Sequence, residues 1–182
     1  VYSAVYSYKM ENNEIVDGST EIRRYDAAGA QNLSGKYDVV LEGVDNEVTG
    51  MCHVKDDDSY YLLTTDGLVK YDGSGKLIAQ YDENNSRDFA VTDKIYLLAD
   101  QKMVELDSEL NVISESSEIY DSLKEDIDET IAKEESTCSN GKKILKADSE
   151  NNIYILTDRA LYKMSSEGEG IMVILDDTDG YE

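Results

Sequence analysis

Ser59-Tyr-Tyr-Leu-Leu-Thr-Thr-Asp-Gly-Leu-Val-Lys-Tyr-Asp-Gly-Ser-Gly-Lys-Leu-Ile78 decides the fold. Its first run, Tyr60-Tyr-Leu-Leu63, is apolar at consecutive positions. A strand with one wet face would alternate, so this strand has both faces covered. Thr65-Asp-Gly67 is a turn, and Leu68 to Tyr71 is a second strand. Asp72 can accept a backbone N–H two residues on, Gly75 can take positive φ, and Lys76 to Tyr81 leaves as a third strand.

The same grammar recurs. Lys94-Ile-Tyr-Leu-Leu-Ala-Asp100 is followed by Met103-Val-Glu-Leu-Asp-Ser-Glu-Leu-Asn-Val-Ile113. Asn152-Ile-Tyr-Ile-Leu-Thr-Asp158 is followed by Leu161-Tyr-Lys-Met-Ser-Ser-Glu-Gly168 and Ile171-Met-Val-Ile-Leu175. Tyr61, Tyr96 and Tyr154 are equivalent, and Asn111 and Gly168 are expected to close the later hairpins as Gly75 closes the first. A weaker copy lies upstream, where Ile22-Arg-Arg-Tyr-Asp-Ala-Ala-Gly29 matches Leu68 to Gly75. A further strand precedes each clear copy, at Val48–Val54, Asp88–Thr92 and Lys143–Ala147. Four strands in a unit of roughly 35–45 residues is the size of one β-propeller blade. A blade cannot bury both faces alone, so blades must stack. The alternative is a β-sandwich of many short strands, which needs no repeated strand–turn–Asp grammar.

The expected fold is therefore all-β, with about four four-stranded antiparallel sheets at about 1–43, 44–82, 83–117 and 141–176. One helical insertion lies at about 118–140. Residues 1–182 then form one propeller, either closed or part of a larger ring whose edge sheets drive association. The insertion accounts for the uneven spacing of the repeat. Leu123, Ile127 and Ile131 share one helical face, and Asp126, Asp128, Glu129 and Lys133 cover the others. Ser122-Leu-Lys-Glu125 reads as a capping box, so the helix is expected over about 121–134, decorating the rim or docking a neighbour.

Forty acids oppose 17 bases, for a net charge of −23. Such a surface argues against nucleic acid and anionic membranes and favours a neutral, cationic or metal partner. No apolar run is long enough for a membrane span. The chain opens on Val1 within an apparent strand, which reads as a cut inside a longer polypeptide. Cys52 and Cys138 do not make a disulfide framework, and two free thiols or a single bridge both fit. Proline is absent, so Gly, Asn, Asp and Ser must make the turns.

Chemistry is sparsely marked. His53 is the only histidine, and it points to the opposite strand face from Cys52. No local motif suggests a nucleophile and base, and His53 reads as an ordinary strand residue. Zinc spacing is lacking, and no cofactor is expected. Calcium has a weak candidate in Asp177 and Asp179 beside Gly180, with Leu175 where the first acid should stand. Tyr60, Tyr61, Tyr96 and Tyr154 read as core, whereas Tyr81, Tyr120 and Tyr181 are expected at the surface. Propellers bind through loops at the strand ends. The candidate ligand-binding residues are therefore Lys55, Asp56, Asp57 and Asp58, then Asn84, Asn85 and Arg87, then Ser149, Glu150 and Asn151, taken as blade-joining segments.

The run Ile-Tyr-Leu-Leu-x-Asp, then Asp-Ser, then Val-Ile resembles propeller repeats of the NHL and quinoprotein-like type. The acidic, tyrosine-rich, cysteine-poor style is also similar to propeller regions of extracellular solute-binding lipoproteins of Gram-positive bacteria. This resemblance, over about residues 44–175, implies an extracellular or cell-surface, non-catalytic binding or scaffold role linked to solute or carbohydrate uptake. The implied partner is a neighbouring domain of a longer chain, another protein, or a carbohydrate or small solute. The competing reading is a polysaccharide hydrolase or lyase using acidic residues.

Overall fold

The computed structural model describes residues 1–26, 36–99, 101–137, 144–164 and 171–176. The chain divides into two compact units, Val1–Asp82 and Glu83–Glu182. Each holds two antiparallel sheets whose strands pair in chain order.

In the first unit, β1 (Tyr2–Glu11), β2 (Glu14–Tyr25) and β3 (Tyr37–Asp45) form a three-stranded sheet. The second sheet contains β4 (Val48–Val54), β5 (Ser59–Thr64), β6 (Gly67–Asp72) and β7 (Leu77–Asp82). Asn12 and Asn13 make the β1–β2 turn at φ 53° and 67°. Two successive positive φ values match the right-handed twist of the flanking strands, and asparagine tolerates them. The faces of the two sheets meet over Ile22, Leu41, Val44, Tyr60 and Leu62.

The second unit holds β8 (Asp88–Val91), β9 (Ile95–Ala99), β10 (Lys102–Leu106) and β11 (Val112–Ser116). Helix α1 (Glu118–Thr137) follows. The last sheet is β12 (Leu145–Ala147), β13 (Ile153–Leu156), β14 (Ala160–Met164) and β15 (Ile171–Asp176). Its core joins Tyr96, Leu98 and Met103 to Ile153, Ile155, Tyr162 and Met164.

The repeat is a repeat of register. Tyr61 pairs with Lys70, Tyr96 with Glu105 and Tyr154 with Lys163, so all three hairpins align on their tyrosines. The consecutive apolar runs behave as the two-sided rule requires, with every residue of β5 and β9 buried. β13 differs, since burial alternates along it and Tyr154 is only half-buried. Thr64 and Thr157 occupy the same turn position. The hydroxyl of Thr64 donates to the Gly67 carbonyl, and that of Thr157 to the Ala160 carbonyl, each at 3.1 Å.

Three aspartates build one loop three times. The Asp72 Oδ1 accepts the N–H of Ser74 at 2.9 Å and of Lys76 at 3.0 Å. Asp107 does the same for Glu109 and Asn111, and Asp148 for Glu150 and Asn152. The residue three after each aspartate takes positive φ: Gly75 at 84°, Leu110 at 63° and Asn151 at 64°. This corrects the expectation for Asn111. The carboxylate must hold the N–H two and four residues on, which forces the left-handed conformation onto the residue between them. That residue is Leu110, tolerated there because its side chain is 4% exposed.

The helix also departs from expectation. It begins at Glu118, whose N–H is taken by the Ser116 hydroxyl at 3.2 Å. Ser122 lies inside the helix, where its hydroxyl donates to the Ile119 carbonyl at 2.8 Å, so it caps nothing. Leu123 and Ile127 enter the core of the second unit together with Tyr120, which is 5% exposed and not a surface residue. Its hydroxyl donates to Asp128, and that of Tyr162 to Asp126. Thr130 is fully buried and accepts the Asp158 N–H at 3.0 Å. The insertion is thus part of the core rather than a rim decoration, because polar residues on its other faces find partners on β14 and the β13–β14 turn. No described helix is long and apolar enough to cross a membrane.

Candidate ligand pocket

Strand direction sorts the predicted loops. In the second sheet, the β4–β5 loop carries Lys55, Asp56, Asp57 and Asp58, and lies beside the β6–β7 loop. The approach is close, since a Cβ on Gly73 would stand 2.0 Å from the Asp58 carboxylate. The opposite end of that sheet holds the β5–β6 turn, where the Asn46 amide donates to Asp66 at 2.7 Å.

In the second unit, the Asp88 carboxylate at the start of β8 accepts the Leu145 N–H at the start of β12, at 2.8 Å. The two strands therefore begin at one end. Asn84, Asn85 and Arg87 precede β8, whereas Ser149, Glu150 and Asn151 follow β12, so these two loops lie at opposite ends. Asn84 to Arg87 joins successive sheets. Lys55 to Asp58 and Ser149 to Asn151 instead join strands of one sheet, which corrects their reading as blade-joining segments. Asp177, Asp179 and Gly180, like Cys138, Tyr181 and the expected hairpin glycine Gly168, lie outside the described residues. Among the described residues, no three His, Cys, Asp or Glu side chains converge as metal ligands.

His53 is better held than an ordinary strand residue. The Tyr2 hydroxyl lies 3.1 Å from its Nδ1, and Asp58 Oδ1 lies 2.9 Å from its Nε2. The ring stacks on Tyr60 at 4.4 Å between centroids. Burial and the neighbouring Tyr2 hydroxyl push the Tyr60 phenol up to about 12. This network ties β1 to β4 and β5, and commits Asp58 to a structural bond. Asp57 is committed too. It accepts the Ser59 hydroxyl at 2.7 Å and faces Lys70 at 3.4 Å, with its carboxyl held below the usual range chiefly by Ser59.

The first unit also contains a pocket of about 240 Å³ that loop reasoning missed. It is lined by the end of β3, by the β5–β6 turn and β6, and by β7. Pairing of Val69 with Gln80, Tyr71 with Leu77 and Gly67 with Asp82 places these residues on one face of the sheet. Val69, Tyr71 and Leu77 supply an apolar and aromatic floor, and Asp45, Asn46, Asp66, Gln80 and Asp82 supply a polar rim. The Tyr71 phenol is raised by burial and then by the nearby Asp45 carboxylate. Asn46 stands at φ 72°, and its side-chain amide donates to Asp66. Tyr81, expected near the surface, is half-buried and lines the pocket. In the sequence these residues belong to three separate segments, and only the stacking of two sheets brings Asp45 to Tyr71.

No family model and no curated protein matches the chain. Solved structures do. A chain of the nidogen/laminin complex aligns over 98% of this chain and 63% of its own length, with a TM-score of 0.59 and 9% identity. The extracellular domain of the one component system BT4673 from B. thetaiotaomicron aligns over 96% of this chain and 22% of its own, with a TM-score of 0.51 and 12% identity. The chain thus spans less than two thirds of either, and what it shares with them is a propeller-like all-β fold.

Proposed function

We propose that this chain is a non-catalytic binding or scaffold region of a secreted or surface-anchored protein, and that its ligand seat is the pocket between β3 and β6–β7. The observation that carries this reading is the pocket itself, a concavity with an aromatic floor and converging polar groups, the usual form of a small-molecule site. It is smaller than the roughly 300–1,000 Å³ of drug-sized sites, which suits a small solute. The extracellular placement is supported by the fold likeness to an extracellular domain. A role in solute or carbohydrate uptake follows if the occupant is a nutrient. Calorimetric titration with a panel of monosaccharides, disaccharides and small amines tests the seat. Release of product from any polysaccharide, abolished by one Asp→Asn or Glu→Gln substitution, would establish the hydrolase or lyase reading instead.

A further inference from the structure

The occupant's charge can be argued from how the chain treats its carboxylates elsewhere. Asp38 pairs with Arg24, Asp128 with Lys124 and Glu83 with Lys102, each within 2.9 Å. Glu105 pairs with Lys94. With 40 acids against 17 bases most carboxylates have no such partner, and the pocket gathers three acids, Asp45, Asp66 and Asp82, in one concavity. None of its lining residues is a lysine or arginine. Asp66 and Asp82 are oriented by the amides of Asn46 and Gln80, at 2.7 and 3.0 Å, and these donors carry no charge. They fix the direction of the carboxylates without neutralising them, and both acids are exposed to solvent.

The floor decides what kind of cation fits. A bare metal ion wants several oxygens at one point, and the described acids do not converge in that way. Val69, Leu77 and the Tyr71 ring instead offer apolar contact and an aromatic face. An aromatic face beside carboxylates attracts a cation that carries its own apolar surface. The net charge of −23 adds a long-range field that concentrates cations near the chain.

We infer that the pocket bounded by Asp45, Asp66, Tyr71 and Asp82 takes a small organic cation, an alkylammonium group whose methyl or methylene carbons rest on Val69, Tyr71 and Leu77. The inference rests on the reading of this pocket as the ligand seat and names the class of its ligand.

Choline, its uncharged isostere 3,3-dimethyl-1-butanol, and glucose are titrated against the whole chain by calorimetry. Choline should bind at least about tenfold more tightly than the isostere, with an affinity that falls as salt rises. Tyr71→Leu should weaken choline by about three- to thirtyfold, the worth of a partly desolvated cation on a ring, while Tyr71→Phe retains binding. Asp45→Asn should weaken choline and leave the isostere unchanged. An unchanged melting temperature in each variant shows that the fold is intact, and Tyr71→Phe guards against a packing artefact. Equal binding of choline and the isostere overturns the cation assignment. So does glucose binding, lost in Tyr71→Leu, without choline binding, and that result leaves the seat itself standing. If neither these three nor the wider solute panel binds, the seat fails and the assignment with it.

Discussion

Replacing Ile127 with alanine tests the structural rank of the helix. Ile127 is fully buried among Tyr120, Leu123, Ile155 and Tyr162. The substitution removes about three methylene equivalents, worth about 2.4 kcal/mol at about 0.8 kcal/mol each. A residual cavity adds about 1 kcal/mol if the site relaxes only partly. The higher helix propensity of alanine returns about 0.4 kcal/mol. The net loss is about 3 kcal/mol, which lowers Tm by about 6–12 °C for a chain of this size. Urea unfolding followed by circular dichroism reads the loss, with Glu125→Ala on the exposed face as a control expected within about 0.5 kcal/mol. A helix that merely decorated the rim would make both substitutions equally mild. A cost below about 1 kcal/mol for Ile127→Ala would refute its place in the core.

Leu110→Gly removes a buried side chain worth about 2 kcal/mol but relieves about 1 kcal/mol of left-handed strain, so a net loss of about 1 kcal/mol is expected in urea unfolding. A gain in stability would show that Leu110 is not packed. Asp148 is held at about 2, first by the Asn152 side chain. A depressed carboxyl gives stability that is complete above about pH 4 and lost as pH falls through about 2. The stability gap between the native chain and Asp148→Asn should therefore shrink from pH 4 to pH 2, and a constant gap contradicts the bond pattern. Tyr60 is raised, so its contribution is full below about pH 10 and lost as pH climbs through about 12. The late phenolate step should move to lower pH in Tyr2→Phe, which removes the support second to burial; a late step that stays in place would reject the Tyr2–Tyr60 coupling.

The strands were legible because each carries its own chemistry. Consecutive apolar residues such as Tyr60 to Leu63 need two covered faces, and Asp72, Asp107 and Asp148 each hold two backbone N–H groups within their own loops. The helix was legible in its apolar face, at Leu123 and Ile127, but not in its start. Ser122 looks like a cap, yet the helix starts on the Ser116 hydroxyl, which puts one more turn in the helix and Tyr120 in the core. Leu110 was missed for a related reason. Local propensity favours Asn111 at positive φ, yet the Asp107 carboxylate, three residues before Leu110, sets the geometry and burial compensates the leucine.

The pocket lies at the other extreme. The predicted loops drew attention because they are contiguous, but Asn84 to Arg87 and Ser149 to Asn151 lie at opposite ends of the second unit, and Asp57 and Asp58 are already bonded. Asp45, Tyr71 and Gln80 carry no shared pattern in the chain, and no spacing rule connects them. What the sequence alone determined is the hairpin: its apolar run, its turn, its aspartate loop and its register on Tyr61, Tyr96 and Tyr154, all governed by contacts within a few tens of residues. What only the tertiary structure decided is which carboxylates share a pocket with Tyr71. That depends on how one sheet lies against the next, and side chains from different sheets meet only once the faces are packed.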